Sequence, residues 1–230
     1  MSVLTWDATG TREYHSGVSK AVLFPQNSDG TYAQGVAWSG ITGIDDSPDG
    51  AEANDFYADN IKYASLRSAE NHKGSISAFD WPEEWRECDG SKAVEEGLYI
   101  GQQKRKPFGL VYRTEVGNDA NPEAGYVLHF VWNATVSPTE KTHETINENP
   151  DLPEYDWDYD CLPVPVSSVA NAKPVSTMEA DSRKLSDAKM KAIEDKIYGT
   201  VSEEPSMPTP DQLIALVAAV TGATGATGET

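Results

Sequence analysis

The chain has 230 residues, and its 37 acidic against 18 basic side chains give a formal net charge of −19, which repels polyanions and excludes nucleic-acid capture as the activity. Hydrophobic residues make up 38% of it, with six Trp and ten Tyr; this excludes a disordered chain and suits one large β domain, or a core of about 150 residues with an appendage. The longest apolar run, Leu213 to Val220, is far short of the roughly 20 residues of a membrane helix, and the N-terminus lacks the basic-then-apolar order of a secretory signal, so the expectation is synthesis in a cytosol without export.

In chain order, Ala21-Val22-Leu23-Phe24 is followed by Pro25, the turn signal Asn27-Ser28-Asp29-Gly30 and the β-leaning Tyr32 to Ile41, a hairpin pattern. Gly40 to Asn60 reads as a loop: Asp45, Asp46, Asp49, Glu52, Asp55 and Asp59 are scattered among Gly, Pro and Ser with no basic residue. A loop this long is functional or mobile. Lys62, Arg67 and Lys73 make a looser basic stretch after it. Pro82 to Cys88 carries Pro and acids at a helix start and stops near Asp89-Gly90, which predicts one short helix.

Lys104-Arg105-Lys106 is the only basic triplet. It reads either as a solvated turn before Phe108 or, in a homo-oligomer, as a contact for a neighbour's acidic loops. Phe108 to Val116 and Tyr126 to Trp132 are strand patterns; period two puts Tyr126, Leu128, Phe130 and Trp132 on one face and His129 on the other. Gly117-Asn118-Asp119 and Asn121-Pro122 turn the first strand into the second, so an antiparallel pair is expected.

Glu144 to Cys161 holds seven acidic residues and no Lys or Arg, interleaved with Tyr155, Trp157 and Tyr159. Asp156, Asp158 and Asp160 match the alternate carboxylates that open a calcium loop. The glycine and glutamate positions of that loop hold Cys161 and Ser167 instead. In an extended segment the three acids simply line one face while Trp157, Tyr159 and Cys161 line the other. After Val166 the character changes. Ser167 to Thr177 is a small-residue linker, and Ser182 to Ile197 is a helix carrying Leu185, Ala188, Ala192, Ile193 and Ile197, stopped by Gly199. Thr209-Pro210-Asp211-Gln212 is a capping box opening a second helix through Val220. Gly222 to Gly228 repeats glycine every third residue, a flexible end. The expected division is a β core over 1–170 and, over 171–230, a linker, two short helices and a Gly-Ala-Thr tail, with the core still folding if everything after Val166 is removed.

Chemistry is thinly signalled. Cys88 and Cys161 make no disulfide framework and no zinc cluster, so free thiols are expected. There is no nucleophile elbow, P-loop, dinucleotide fingerprint or H-E-x-x-H, and His15, His72, His129 and His143 are scattered. Nothing singles out a glycosidase pair among the acids. The expectation is no catalytic, cofactor-binding or metal residue, no cofactor and no enzyme. The rival readings are a carbohydrate-binding β-sandwich using exposed Trp and Tyr and, behind it, an acidic-pair glycosidase.

Four groups of residues carry a family resemblance: Tyr57-Ala58-Asp59-Asn60-Ile61-Lys62-Tyr63; Trp81-Pro82-Glu83-Glu84 with Cys88-Asp89-Gly90; Pro107-Phe108-Gly109-Leu110-Val111-Tyr112-Arg113-Thr114; and Ser137-Pro138 leading to Glu144-Thr145-Ile146-Asn147. In order and spacing they resemble the major tail (tail tube) proteins of long-tailed bacteriophages with non-contractile tails. The resemblance covers about residues 1 to 170 and extends to Ala180-Asp181-Ser182 and to Tyr198-Gly199-Thr200 through Pro208-Thr209-Pro210-Asp211. It implies a mainly β fold, a tail-tube-type sandwich or barrel with one flanking α-helix, here with a C-terminal helical extension. It also implies hexameric rings stacked into the virion's tail tube, through which DNA passes without specific binding. Implied partners are other copies of the chain and the tape measure, tail terminator and distal tail proteins, with synthesis in the host cytoplasm and no membrane. The family's long loop, expected to reach the adjacent ring, falls at Gly40 to Ala69, and an acidic lumen would repel DNA phosphates.

Overall fold

The computed structural model describes residues 6–50, 52–143, 145 and 152–223, the side chains as far as residue 220. The strands are β1 (Glu13–Pro25), β2 (Val36–Trp38), β3 (Ile41–Asp46), β4 (Asp49–Gly50), β5 (Ala53–Ala58), β6 (Ile61–Arg67), β7 (Glu70–Asn71), β8 (Lys73–Ala78), β9 (Lys92–Glu95), β10 (Leu98–Ile100), β11 (Phe108–Asn118), β12 (Gly125–Val136), β13 (Tyr155–Cys161) and β14 (Thr177–Asp181). The helices are α1 (Trp85–Cys88), α2 (Asp187–Tyr198) and α3 (Pro210–Ala223). The protein is mainly β and antiparallel, as expected. No described helix is long and apolar enough to cross a membrane.

One sheet organises the molecule in the order β2-β1-β11-β12-β13-β8-β3, and β3 comes back against β1, so the sheet curls around a core. The expected strand pair is β11 and β12, antiparallel from Val116 opposite Gly125 to Phe108 opposite Ala134. The Phe108–Tyr112 half of β11 and the Ala21–Pro25 half of β1 are buried on both faces, which is why Phe108 to Tyr112 is apolar without alternation. Inside the curl, Trp38, Trp85, Phe108 and Trp157 pack together; the Trp38–Trp85 rings are tilted with centroids 4.4 Å apart, and Trp85 meets Phe108 edge to face at 5.0 Å. On the other side, Leu128, Phe130 and Trp132 of β12 meet Met190, Ile193 and Ile197 of α2 and Leu213 of α3.

Asn133 is where β12 changes step. Its φ of +52° places it in the left-handed region that Asn tolerates, and the pairing with β11 shifts there. Val131 and Ala134 therefore both face the aromatic core although strict alternation would separate them. The bulged backbone N–H donates to the Tyr32 hydroxyl at 3.0 Å, and the Asn133 amide donates to the Leu162 carbonyl at 3.1 Å.

Three features differ from the sequence expectation. Gly40 to Asn60 is not a loop: β3 pairs with β8, β4 with β7 and β5 with β6, so residues 41–78 form one nested hairpin. Helix α2 begins at Asp187 rather than Ser182, because the backbone N–H groups of Lys184 and Leu185 turn back onto the Asp181 carbonyl. And β14 joins the main sheet, pairing Val127 to Val131 of β12 with Asp181 to Thr177. The hairpin at Gln26 to Tyr32, helix α1 and the Thr209 cap fall where the sequence places them; Thr209 and Gln212 exchange hydrogen bonds of 3.0 and 3.3 Å. Most of the acidic run from Glu144 to Asp151, and the repeat beyond Ala223, lie outside the described residues.

Candidate assembly surfaces

Two surfaces stand out once the core is subtracted. The first is an arm. Its root is the β3–β8 ladder, where Ile41, Ile44, Ile76 and Ala78 reach the aromatic core. Beyond Asp46 the ribbon leaves that core, and every residue described from Asp45 to Asn71 is exposed except the half-buried Ala64. At about 3.3 Å per residue, Asp49 to Ala58 has a contour length of ~33 Å. The tip is a two-residue turn in which Asp59 and Asn60 both have positive φ, +51° and +62°. This twist matches that of the flanking strands, and Asp and Asn accept it with little penalty. Gly50, at φ +88°, has no room for a side chain, since a Cβ would stand 2.6 Å from the Ala69 carbonyl oxygen.

The arm has two characters. Asp55, Ser65 and Lys62 share one face, with Lys62 Nζ 2.7 Å and Ser65 Oγ 2.7 Å from the Asp55 carboxylate. The opposite face carries Phe56 across from Ala64 and the neighbouring Leu66. Phe56, Tyr57, Ile61, Tyr63 and Leu66 are 46–74% exposed. A two-stranded ribbon is marginal in water by itself, and a cluster of large apolar side chains on it marks a contact surface. Along its edges Lys73 holds Asp49 at 2.6 Å, and His72 lies 3.4 Å from Asp46.

The second surface is the outer face of β13 and β8. The strand resolves Asp156, Asp158 and Asp160 as the sequence implies: all three point out, while Trp157, Tyr159 and Cys161 are buried. Opposite them on β8 stand Ser77, Ser75 and Lys73, and Asp45 of β3 continues the row beyond Ser75. The Ser77 hydroxyl donates to Asp156. This is a face of hydroxyls and carboxylates with one ammonium, indented around Ser75, Asp158 and Asp160.

Among the described residues no group of three or more His, Cys, Asp or Glu is placed to hold a metal. His129 lies flat on Tyr112, with its Nε2 2.8 Å from Thr114 Oγ1 and its Nδ1 3.3 Å from Glu179; burial lowers its pKa. Cys88 and Cys161 are free and buried, and burial pushes both thiols up to about 12. Four tryptophans, Trp38, Trp85, Trp132 and Trp157, are in the cores and Trp81 packs against one; only Trp6 is exposed. The exposed aromatic side chains that a sugar-stacking reading could use are therefore chiefly tyrosines, Tyr14, Tyr57 and Tyr63.

Sequence reasoning missed a second exposed hairpin, β9–β10, turned by Glu96-Gly97 with Gly97 at φ +81°. A Gly after an acid between two short β-leaning runs was the available signal.

No family model matches the chain, and no curated protein matches its sequence. Solved structures do overlap with it. The cap that terminates the tube of the anti-feeding prophage aligns at TM-score 0.35 and 10% identity, covering 79% of this chain and 97% of that one. The sheath/tube terminator of PVC, an extracellular contractile injection system, aligns in its extended state at TM-score 0.32 and 9% identity, covering 77% and 99%. The sheath–tube complex of that system aligns at 0.28 and 10%, covering 70% and 88%. Identities near one tenth and TM-scores under one half leave the chain's own surfaces as the basis for its function.

Proposed function

We propose that this chain is a structural, non-enzymatic subunit of a phage-type tail, assembling with other copies of itself into rings that stack into a tube. The observation that carries this reading is the arm: a marginal ribbon with large apolar side chains in water is stable only when something covers it. The nested hairpin coincides with the segment that, by the resemblance to major tail proteins, is expected to reach the adjacent ring. Six subunits per ring, the non-contractile tail type and contacts with tape measure, terminator and distal tail proteins follow from the same resemblance.

The acidic outer face of β13 and β8 supplies the bore. A wall of carboxylates repels phosphates, so DNA moves past it without being held. Electron microscopy of the purified protein across a concentration series tests the proposal. Rings or tubes with a regular axial repeat are the expected result, and a chain that stays monomeric at every concentration would sink it.

A further inference from the structure

The arm needs a receptor, and the molecule carries a surface of complementary character. We propose that the arm of one copy docks on the β9–β10 hairpin and the basic cleft beside it on a second copy. This rests on the self-assembly reading above and adds the partner surface.

The hairpin exposes apolar and basic side chains. Lys92 pairs with Ile100 across the ladder, and a register shift then sets Leu98 opposite Glu95, leaving Val94 as the bulged residue. Val94, Leu98 and Ile100 are 62, 57 and 44% exposed. The inner face is occupied, because the Arg86 guanidinium sits 4.1 Å over the Tyr99 ring. Next to the hairpin, a cleft of about 410 Å³ opens between the turn at Asn27 and the chain at Lys104 to Pro107, lined by Lys92, Lys104, Arg105 and Lys106. Lys106 is held by Glu87 at 3.0 Å. Lys104 is exposed, and the Arg105 Nε is buried with no hydrogen-bond partner.

Charge makes the pairing specific. Residues 92–106 contain four basic and two acidic side chains, in a chain of net charge −19. Residues 45–71, the arm, contain seven acidic and two basic ones. Most surfaces of this protein repel a second copy; these two attract, and each offers exposed aliphatic or aromatic side chains to the other. The arm and the hairpin are different surfaces of one subunit, so the contact is head-to-tail and leaves an arm and a receptor free at the ends. Such contacts close into rings or propagate as filaments rather than stopping at a dimer.

Single-cysteine chemistry tests this, because the native thiols are buried. I61C and L98C are made separately in the full-length protein, mixed under assembly conditions and treated with a short bismaleimide. The mixture should give a cross-linked dimer about tenfold more abundant than either variant alone. Independently, K92E with K104E should raise the concentration needed for assembly about tenfold or more, with an unchanged melt, because like charges would then face one another across the interface. E52K with D59K on the arm should restore it. Tubes that form without the cross-link and ignore the lysine reversals would overturn this receptor while leaving self-assembly standing. A permanent monomer would overturn both.

Discussion

Trp132 donates its indole N–H to the carbonyl oxygen of Pro208 at 2.9 Å, joining the central strand of the sheet to the residue that precedes the Thr209 cap of α3. The two are 76 residues apart in sequence. Beside them, Asp211 accepts hydrogen bonds from the Ser167 and Ser168 backbone at about 3 Å, so the helix start and the segment after Val166 hold one another.

The first prediction concerns that junction. A chain ending at Val166 loses β14, α2 and α3 and bares Leu128, Phe130 and Trp132. It should lose its cooperative melt, contrary to the sequence-based expectation of an independent core. W132F is milder: it orphans the Pro208 carbonyl and removes ring volume, costing about 1–3 kcal/mol. Thermal denaturation of both variants checks this; a truncated chain that melts cooperatively near the parent temperature would refute it.

Two glycines separate arm from core. G74A places a Cβ 2.5 Å from the Tyr159 hydroxyl inside the packed sheet and should destabilise the fold by about 1–3 kcal/mol or more. G50A acts only on the exposed ribbon, through its left-handed φ and the Ala69 carbonyl. Its melt should match the parent while assembly, read by light scattering, falls. Equal effects of the two substitutions on melting would count against a separable arm.

Alkaline pH should unfold the protein through its buried acids. Cys88 and Cys161 have pKa values raised by burial from 9.0 to about 12, and Tyr198 from 10.0 to about 12. Below pH 9 both states keep the thiol protons and nothing changes. Above it the unfolded chain releases them first, so stability present at neutral pH is lost between about pH 9 and 12, at about 1.4 kcal/mol per pH unit for each fully linked group. Denaturant melts across that range, with thiol-reagent accessibility appearing only on unfolding, measure it.

The bore assignment is tested by charge. Replacing Asp156, Asp158 and Asp160 by Lys reverses the outer face of β13 without touching its buried partners. Assembled variant should retain short duplex DNA in a strongly salt-dependent manner, and the Asn triple variant should not. Tubes of the Lys variant that still ignore DNA would place β13 away from the channel.

Legibility in the sequence followed locality. The strand pair β11–β12 and the Thr209 cap were readable because periodicity and capping are written within a dozen residues. The Asp156, Asp158, Asp160 face was readable for the same reason. The arm was not, because a register shift at Phe56/Tyr57 breaks the period-two pattern of its ribbon, both faces of which are exposed within one subunit, and Gly, Pro and Asp mimic a loop. Asp59-Asn60 was its one local signature. β14 was missed because its reason for being a strand lies at Val127 to Val131, some fifty residues away. The change of step of β12 at Asn133 depends on Tyr32 and Leu162, which no window around residue 133 contains.

The nesting of the 41–78 hairpin has a mechanical side. Both legs of the arm run straight into β3 and β8, and β8 is zipped along its length to β13. Tension along the ribbon from a neighbouring subunit therefore shears many parallel hydrogen bonds together instead of peeling them one by one. A filament strung on such joints resists stretching at every junction with the strength of a whole ladder, and its bending is left to the slender part between Asp49 and Asn71.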